Sequence, residues 1–126
     1  MAEKTIIVVE DEMDAAEMFA EMMRVSGYTV LKATSSTHAM SMIAKVKPSA
    51  VILDIMMPDV SGLEVMRFMR NDPDLVQIPV VIVSAKCLPV DINRGLNAGA
   101  AIYLTKPVGY LDLKDAVERV LGPQGT

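Results

Sequence analysis

Val51-Ile52-Leu53-Asp54-Ile55-Met56-Met57-Pro58-Asp59 runs three apolar residues straight into a carboxylate and then breaks. The run is entered just past Pro48 and left at Pro58, which marks a short strand buried in the interior. A carboxylate at the end of such a strand lies at its carboxyl edge, where parallel α/β sheets bind ligands. The rest of the chain must explain what stands beside Asp54.

Four similar apolar runs flank it. Thr5–Val9 is continuously apolar after its first residue and β-branched, and reads as a strand buried on both faces. Thr29–Ala33 is a shorter strand. Val80–Val83 is another buried one, ending at Ser84-Ala85, and Ala101–Leu104 is the last, closed by Thr105-Lys106-Pro107. The third strand spans Ala50–Asp54. Helical spacing fills the gaps. Residues 14–26 carry Ala15, Met18, Phe19, Met22 and Val25 at intervals of three and four, and Gly27 follows as a C-cap. Ser35 and Ser36 are candidate N-caps for a helix through Val46, with Ala39, Met40 and Ile43 inside and Pro48 beyond its end. Residues 62–71 turn Leu63, Met66 and Met69 inward. Residues 89–98 begin with Pro89 in the first turn and stop at Gly99. Residues 111–121 form the last helix.

Five strands alternating with five helices predict an α/β fold: a parallel sheet with helices on both faces. The flavodoxin-like order 2-1-3-4-5 is the common solution for five such units, and is taken from known folds. Residues 1–122 read as one domain and 123–126 as a short tail.

Composition narrows the function. Hydrophobic residues make up 52% and charged residues 22%, a globular balance. A net charge of −4 argues against nonspecific contact with nucleic acid or an anionic membrane. The single cysteine, Cys87, excludes a disulfide framework and fits a cytoplasmic location. No apolar run approaches the length of a membrane span, and no signal-peptide pattern opens the chain.

In the order 2-1-3-4-5, strands one and three are neighbours, so Glu10, Asp11 and Asp54 meet at the switch point. Three carboxylates repel one another unless a cation joins them. A set of oxygen ligands suits a hard divalent ion, Mg²⁺ above all. The other strand ends add the Ser84 hydroxyl and the Lys106 ammonium. A metal on one side of Asp54 and Lys106 on the other would neutralise an incoming phosphoryl group, with Ser84 donating to a third oxygen. Asp54 then reads as a nucleophile that forms an acyl phosphate.

Glu10-Asp11 after strand one, Asp54 through Asp59 with Gly62, Ser84-Ala85 after strand four and Lys106-Pro107 after strand five together resemble the receiver domain of two-component response regulators. The resemblance covers essentially the whole chain. It implies that Asp54 takes a phosphoryl group from a sensor histidine kinase or a histidine phosphotransfer protein. It implies Mg²⁺ (or Mn²⁺) held by Asp11, Asp54 and the Met56 backbone carbonyl, with Glu10 acting through water. Lys106, Ser84 and the Ala85 backbone would contact the phosphoryl group. Ser84 and Tyr103 would act as the switch pair, and the bond before Pro107 would be cis. The surface of helix four, strand five and helix five would change, and a homodimer would form there. Glu10 and Ser84 stand where the family more often has aspartate and threonine, and both keep the functional group.

Two other functions compete. A magnesium-dependent phosphatase or phosphotransferase would need a general acid beside its nucleophile and a cap, whereas Asp54 is followed by Ile55 and Met56. A receiver-like interaction module that takes no phosphate would be marked by loss of Asp54, Asp11 or Lys106, and all are present. Several residues have plainer roles. Glu12 reads as a charge at a helix N-terminus, His38 as a surface histidine, and Cys87 as a partly buried thiol with nothing placed to activate it. Tyr103 could be sheet-edge packing. Met13, Met56 and Met57 are either gap fillers or an apolar docking surface.

Overall fold

The computed structural model describes residues 3–122, so the tail expected at 123–126 lies outside the described residues. The elements are β1 Thr5–Val9, α1 Met13–Val25, β2 Thr29–Ala33, α2 Ser36–Val46, β3 Ala50–Leu53, α3 Gly62–Arg70, β4 Val80–Ser84, α4 Pro89–Asn97, β5 Ile102–Thr105 and α5 Tyr110–Leu121. The five strands form one sheet in the order β2-β1-β3-β4-β5, and each neighbouring pair is parallel.

Strand periodicity builds two cores, one on each side of the sheet. Ile7, Val9, Val51, Leu53, Val80 and Ile82 face the side covered by Ala39 and Ile43 of α2 and by Val65, Met66 and Met69 of α3. Ile6, Val8, Ile52, Val81 and Val83 face the other side, beneath Phe19 and Met23 of α1 and Leu113, Ala116 and Val117 of α5. Successive side chains point to opposite faces, so β1, β3 and β4 must be apolar throughout. Burying each Ile or Leu contributes about 1.5–3 kcal/mol, which is why these three strands anchor everything at their carboxyl ends.

The expected boundaries shift by one residue in several places. Helix α1 starts at Met13 because the Glu12 carboxylate accepts from the Asp14 and Ala15 amides and serves as its N-cap. Its buried residues are Ala16, Phe19, Ala20 and Met23, whereas Met18 and Val25 are exposed. The expected stripe through Met18 and Val25 is therefore rotated by about one residue. Ala16 and Ala20 share the buried face with Phe19 and Met23, and Met18 and Val25 fall to its flank. Cys87 is exposed rather than partly buried, since it lies in the loop between β4 and α4. His38 is exposed near the start of α2.

Candidate functional site

Backbone pairing continues one step past each central strand, and this carries the polar residues to one edge. The Asp54 amide donates to the Val9 carbonyl at 2.9 Å, Glu10 to Ala33 at 3.1 Å and Lys106 to Ser84 at 2.8 Å. Asp54 and Glu10 are buried, 6% and 2% exposed. Asp11 is exposed at the rim. One carboxylate oxygen from each of Glu10, Asp11 and Asp54 lies within 4.8 Å of the others.

Lys106 reaches into this group. Its ammonium lies 2.7 Å from Glu10 and 3.2 Å from Asp54 and stands 5.9 Å above the Phe19 ring. Burial alone pulls the Lys106 ammonium down, but the carboxylates of Glu10 and Asp54 outweigh it and hold its pKa above the usual lysine value. Burial pushes the Glu10 carboxyl up, Lys106 opposes that shift, and the Asp54 charge adds to it. One ammonium thus faces three acids, and the excess negative charge is what a divalent cation would remove.

The loop after β3 wraps the phosphoacceptor candidate. The Met56 amide donates to Asp54 Oδ1 at 2.9 Å, so Met56 stands in the turn that holds the carboxylate. The Met56 side chain is half exposed and that of Met57 packs on the core. Two features pin the rest of the loop. Gly62 sits so close that a Cβ there would lie 2.6 Å from both the Asp54 carbonyl oxygen and Ile55 Cα. Asp59 accepts from the Ser36 and Thr37 amides at 3.2 and 3.1 Å and from the Thr37 hydroxyl at 3.1 Å. These donors belong to the first turn of α2, where unsatisfied amides favour an anion.

That brace holds the Asp59 carboxyl far below the ordinary carboxylate range, with the Thr37 amide its largest cause. An acid whose folded pKa is depressed stabilises the fold above its unfolded pKa, and loses that effect as pH falls toward the folded value. Asp59→Asn is therefore expected to lower the melting temperature at pH 7. The gap to the parent protein should narrow only below about pH 4, the unfolded carboxylate value. Thermal melts of both proteins from pH 7 to pH 2 test this, and a gap that stays constant would rule the brace out.

Strand β4 ends in Ser84, fully buried, whose Oγ accepts from the Lys86 amide at 3.1 Å. Ala85 follows on the exposed loop at the same edge. Tyr103 on β5 is half-buried, and its hydroxyl donates to the Lys86 carbonyl at 2.8 Å. Burial raises its phenol pKa, and the Ser84 hydroxyl partly offsets this. The Lys106–Pro107 peptide bond is cis. Beside the acids, a cleft of about 530 Å³ opens between the β3–α3 loop and α4, lined by Asp11, Met56, Met57, Pro58, Lys86 and Arg94 among others.

All the expected site residues thus gather at one sheet edge, and Tyr103 reaches it through Lys86. Residues 6–118 match the model of the response regulator receiver domain. The chain belongs to that family. It is 35% identical over 125 residues to the phosphate regulon transcriptional regulatory protein PhoB of Pseudomonas aeruginosa, covering 99% of this chain and 55% of that protein. It therefore spans about half the length of that relative. It is 29% identical to the polar-differentiation response regulator DivK of Brucella ovis, covering 94% of this chain and 97% of DivK. A putative response regulator from Chloroflexus aurantiacus superposes with a TM-score of 0.91 at 30% identity, covering 95% of this chain and 98% of that one. The receiver domain of a signal transduction histidine kinase from Syntrophus aciditrophicus gives 0.86 at 30% identity, covering 98% and 94%. The receiver fold and its place in two-component signalling follow, and receiver domains work with histidine kinases or phosphotransfer proteins. Among the described residues, no helix is long and apolar enough to cross a membrane.

Two residues of this site carry more than the sequence suggested. Asp59 and Gly62 stood there only as parts of a motif. An acid within a loop has no sequence signal for capping a helix more than twenty residues upstream. A glycine opening a helix does hint at close backbone approach.

Proposed function

We propose that this receiver domain accepts a phosphoryl group on Asp54 from the phosphohistidine of a sensor kinase or phosphotransfer protein. The supporting observation is a buried Asp54 carboxylate facing Lys106 at 3.2 Å within a cluster of three acids. An Asp54 carboxylate oxygen attacks the phosphorus. The new O–P bond forms as the P–N bond to the donor imidazole breaks, and the imidazole leaves with the electron pair and takes up a proton. Lys106 sits where it would neutralise a phosphoryl oxygen, and the Ser84 hydroxyl and Ala85 amide would bond the others.

The acidic cluster fits Mg²⁺ or Mn²⁺, with Asp11, Asp54 and the Met56 carbonyl as ligands and Glu10 acting through water. Bound there, the ion would neutralise charge on the transferring group. Asp54 would then be a phosphoacceptor that assists its own loading, not an enzyme acting on other substrates. The face of α4, β5 and α5 would carry the readout and is where two copies would pair. The net charge of −4 argues against this domain touching nucleic acid itself.

The test is intact mass after incubation with acetyl phosphate, with and without Mg²⁺. One phosphoryl group is expected, dependent on metal and absent in Asp54→Asn. No gain in any arm would favour an interaction module that works without phosphate.

A further inference from the structure

Helix α4 is fastened to the sheet differently from the other four helices. Its one buried residue is Gly95, and Leu88, Val90 and Leu96 in and beside it are exposed. Gly95 has an ordinary helical backbone, so no positive φ demands glycine there. Glycine weakens a helix interior relative to alanine. The reason for it is space. A Cβ at residue 95 would lie 2.8 and 2.9 Å from Cδ2 and Cε2 of the Tyr103 ring and 2.9 Å from Ile82 Cδ1.

The Tyr103 ring therefore fills the place that a side chain on α4 would take. From there its hydroxyl reaches the Lys86 carbonyl at 2.8 Å. The Lys86 amide in turn donates to Ser84 Oγ at 3.1 Å. One chain of contacts runs from the middle of α4, through an aromatic ring and the backbone of Lys86, to the Ser84 hydroxyl at the sheet edge that carries Asp54. Ser84 Oγ accepts from the Lys86 amide, and its hydroxyl also acts on the Tyr103 phenol, so Tyr103 holds Ser84 both directly and through Lys86.

We propose that Gly95 is a positioning residue of the phosphorylation site: it makes the seat that keeps the Tyr103 ring beneath α4, so that Tyr103 holds the β4–α4 loop and Ser84 in place for loading. Its consequence for loading rests on Asp54 being the phosphoacceptor; its geometry does not. A methyl group at residue 95 meets the ring edge, and the ring is the part that can swing away. Gly95→Ala thereby releases the Lys86 carbonyl while leaving every polar group of the site intact.

The experiment compares the parent protein, Gly95→Ala, Tyr103→Phe and the double variant. Each is labelled with ring-¹³C tyrosine, and the Tyr103 signal is identified among three tyrosines by its loss in Tyr103→Phe. Gly95→Ala is expected to shift the Tyr103 signal and leave those of Tyr28 and Tyr110 in place. Its rate of Mg²⁺-dependent loading by acetyl phosphate should fall about threefold, the scale of one neutral hydrogen bond. Tyr103→Phe should fall by a similar factor, and the double variant no further. An unmoved Tyr103 signal, or losses that multiply in the double variant, would overturn the proposal. Should Gly95→Ala fail to fold, Gly95→Ala is added to Tyr103→Leu, which removes the conflicting ring atoms. Unchanged loading relative to Tyr103→Leu supports action through the ring, and a further fall points to Ile82 instead. If the parent protein takes up no phosphoryl group at all, the phosphoacceptor reading fails, and the Tyr103 signal alone decides the role of Gly95.

Discussion

Lys106→Met is expected to slow phosphoryl loading about a hundredfold, the scale of removing one preorganised donor from a developing anion. Methionine keeps most of the apolar stem of lysine but removes the ammonium, and with it the charge that stands over the Phe19 ring. The same change leaves Glu10 and Asp54, side chains 3% and 8% exposed, without their shared counterion. Breaking a fully buried pair costs about 3–5 kcal/mol. Lys106 keeps 26% of its side chain in solvent, so about 2 kcal/mol is the appropriate expectation. With the ammonium gone, the folded state favours a protonated acid still more strongly, so lowering the pH from 7 toward 5 should restore part of the lost stability. Urea melts at both pH values, alongside loading rates, make the check. A stability loss with normal loading would reduce Lys106 to a structural counterion.

Gly62→Ala is expected to destabilise the domain by about 3 kcal/mol, the upper end for forcing an extra carbon into a packed site. Over a chain of this size that corresponds to a fall in melting temperature of roughly 10 °C. Helix propensity alone predicts the opposite sign, because alanine favours a helix more than glycine does. The conflict is with backbone, at 2.6 Å from the Asp54 carbonyl oxygen and from Ile55 Cα, so no rotamer change relieves it. The pressure falls on the Asp54 peptide itself, and loading should fall along with stability. An unchanged or raised melting temperature would mean that the β3–α3 loop yields easily and does not hold Asp54 rigid.

The parts of this fold legible from sequence are those set by short-range chemistry. Residues 6–9, 50–53 and 80–83 are so uniformly apolar that only a strand covered on both faces suits them, and the acids, Ser84 and Lys106 follow at their ends. The buried face of α1 was not legible in the same way. Met18 and Val25 outweigh the alanines in any count of hydrophobicity, yet they are exposed while Ala16 and Ala20 are buried. Cys87 was misplaced for a related reason: an apolar residue just past a buried strand says nothing about where the loop turns. Roles that depend on distant partners left still less trace. Asp59 looks like a turn residue until α2 arrives to donate three hydrogen bonds, and Gly95 looks like a weak point in a helix until the Tyr103 ring is found beneath it.

The central claim is that one carboxylate among the clustered acids carries the phosphoryl group. Loading with acetyl phosphate and Mg²⁺, followed by borohydride reduction and peptide mass mapping, tests it directly. Reduction converts an aspartyl phosphate to homoserine. The predicted result is homoserine at residue 54 alone, lost when metal is chelated before loading. Homoserine at residue 11 or 59, or none at residue 54 in protein that has gained a phosphoryl group, would contradict it.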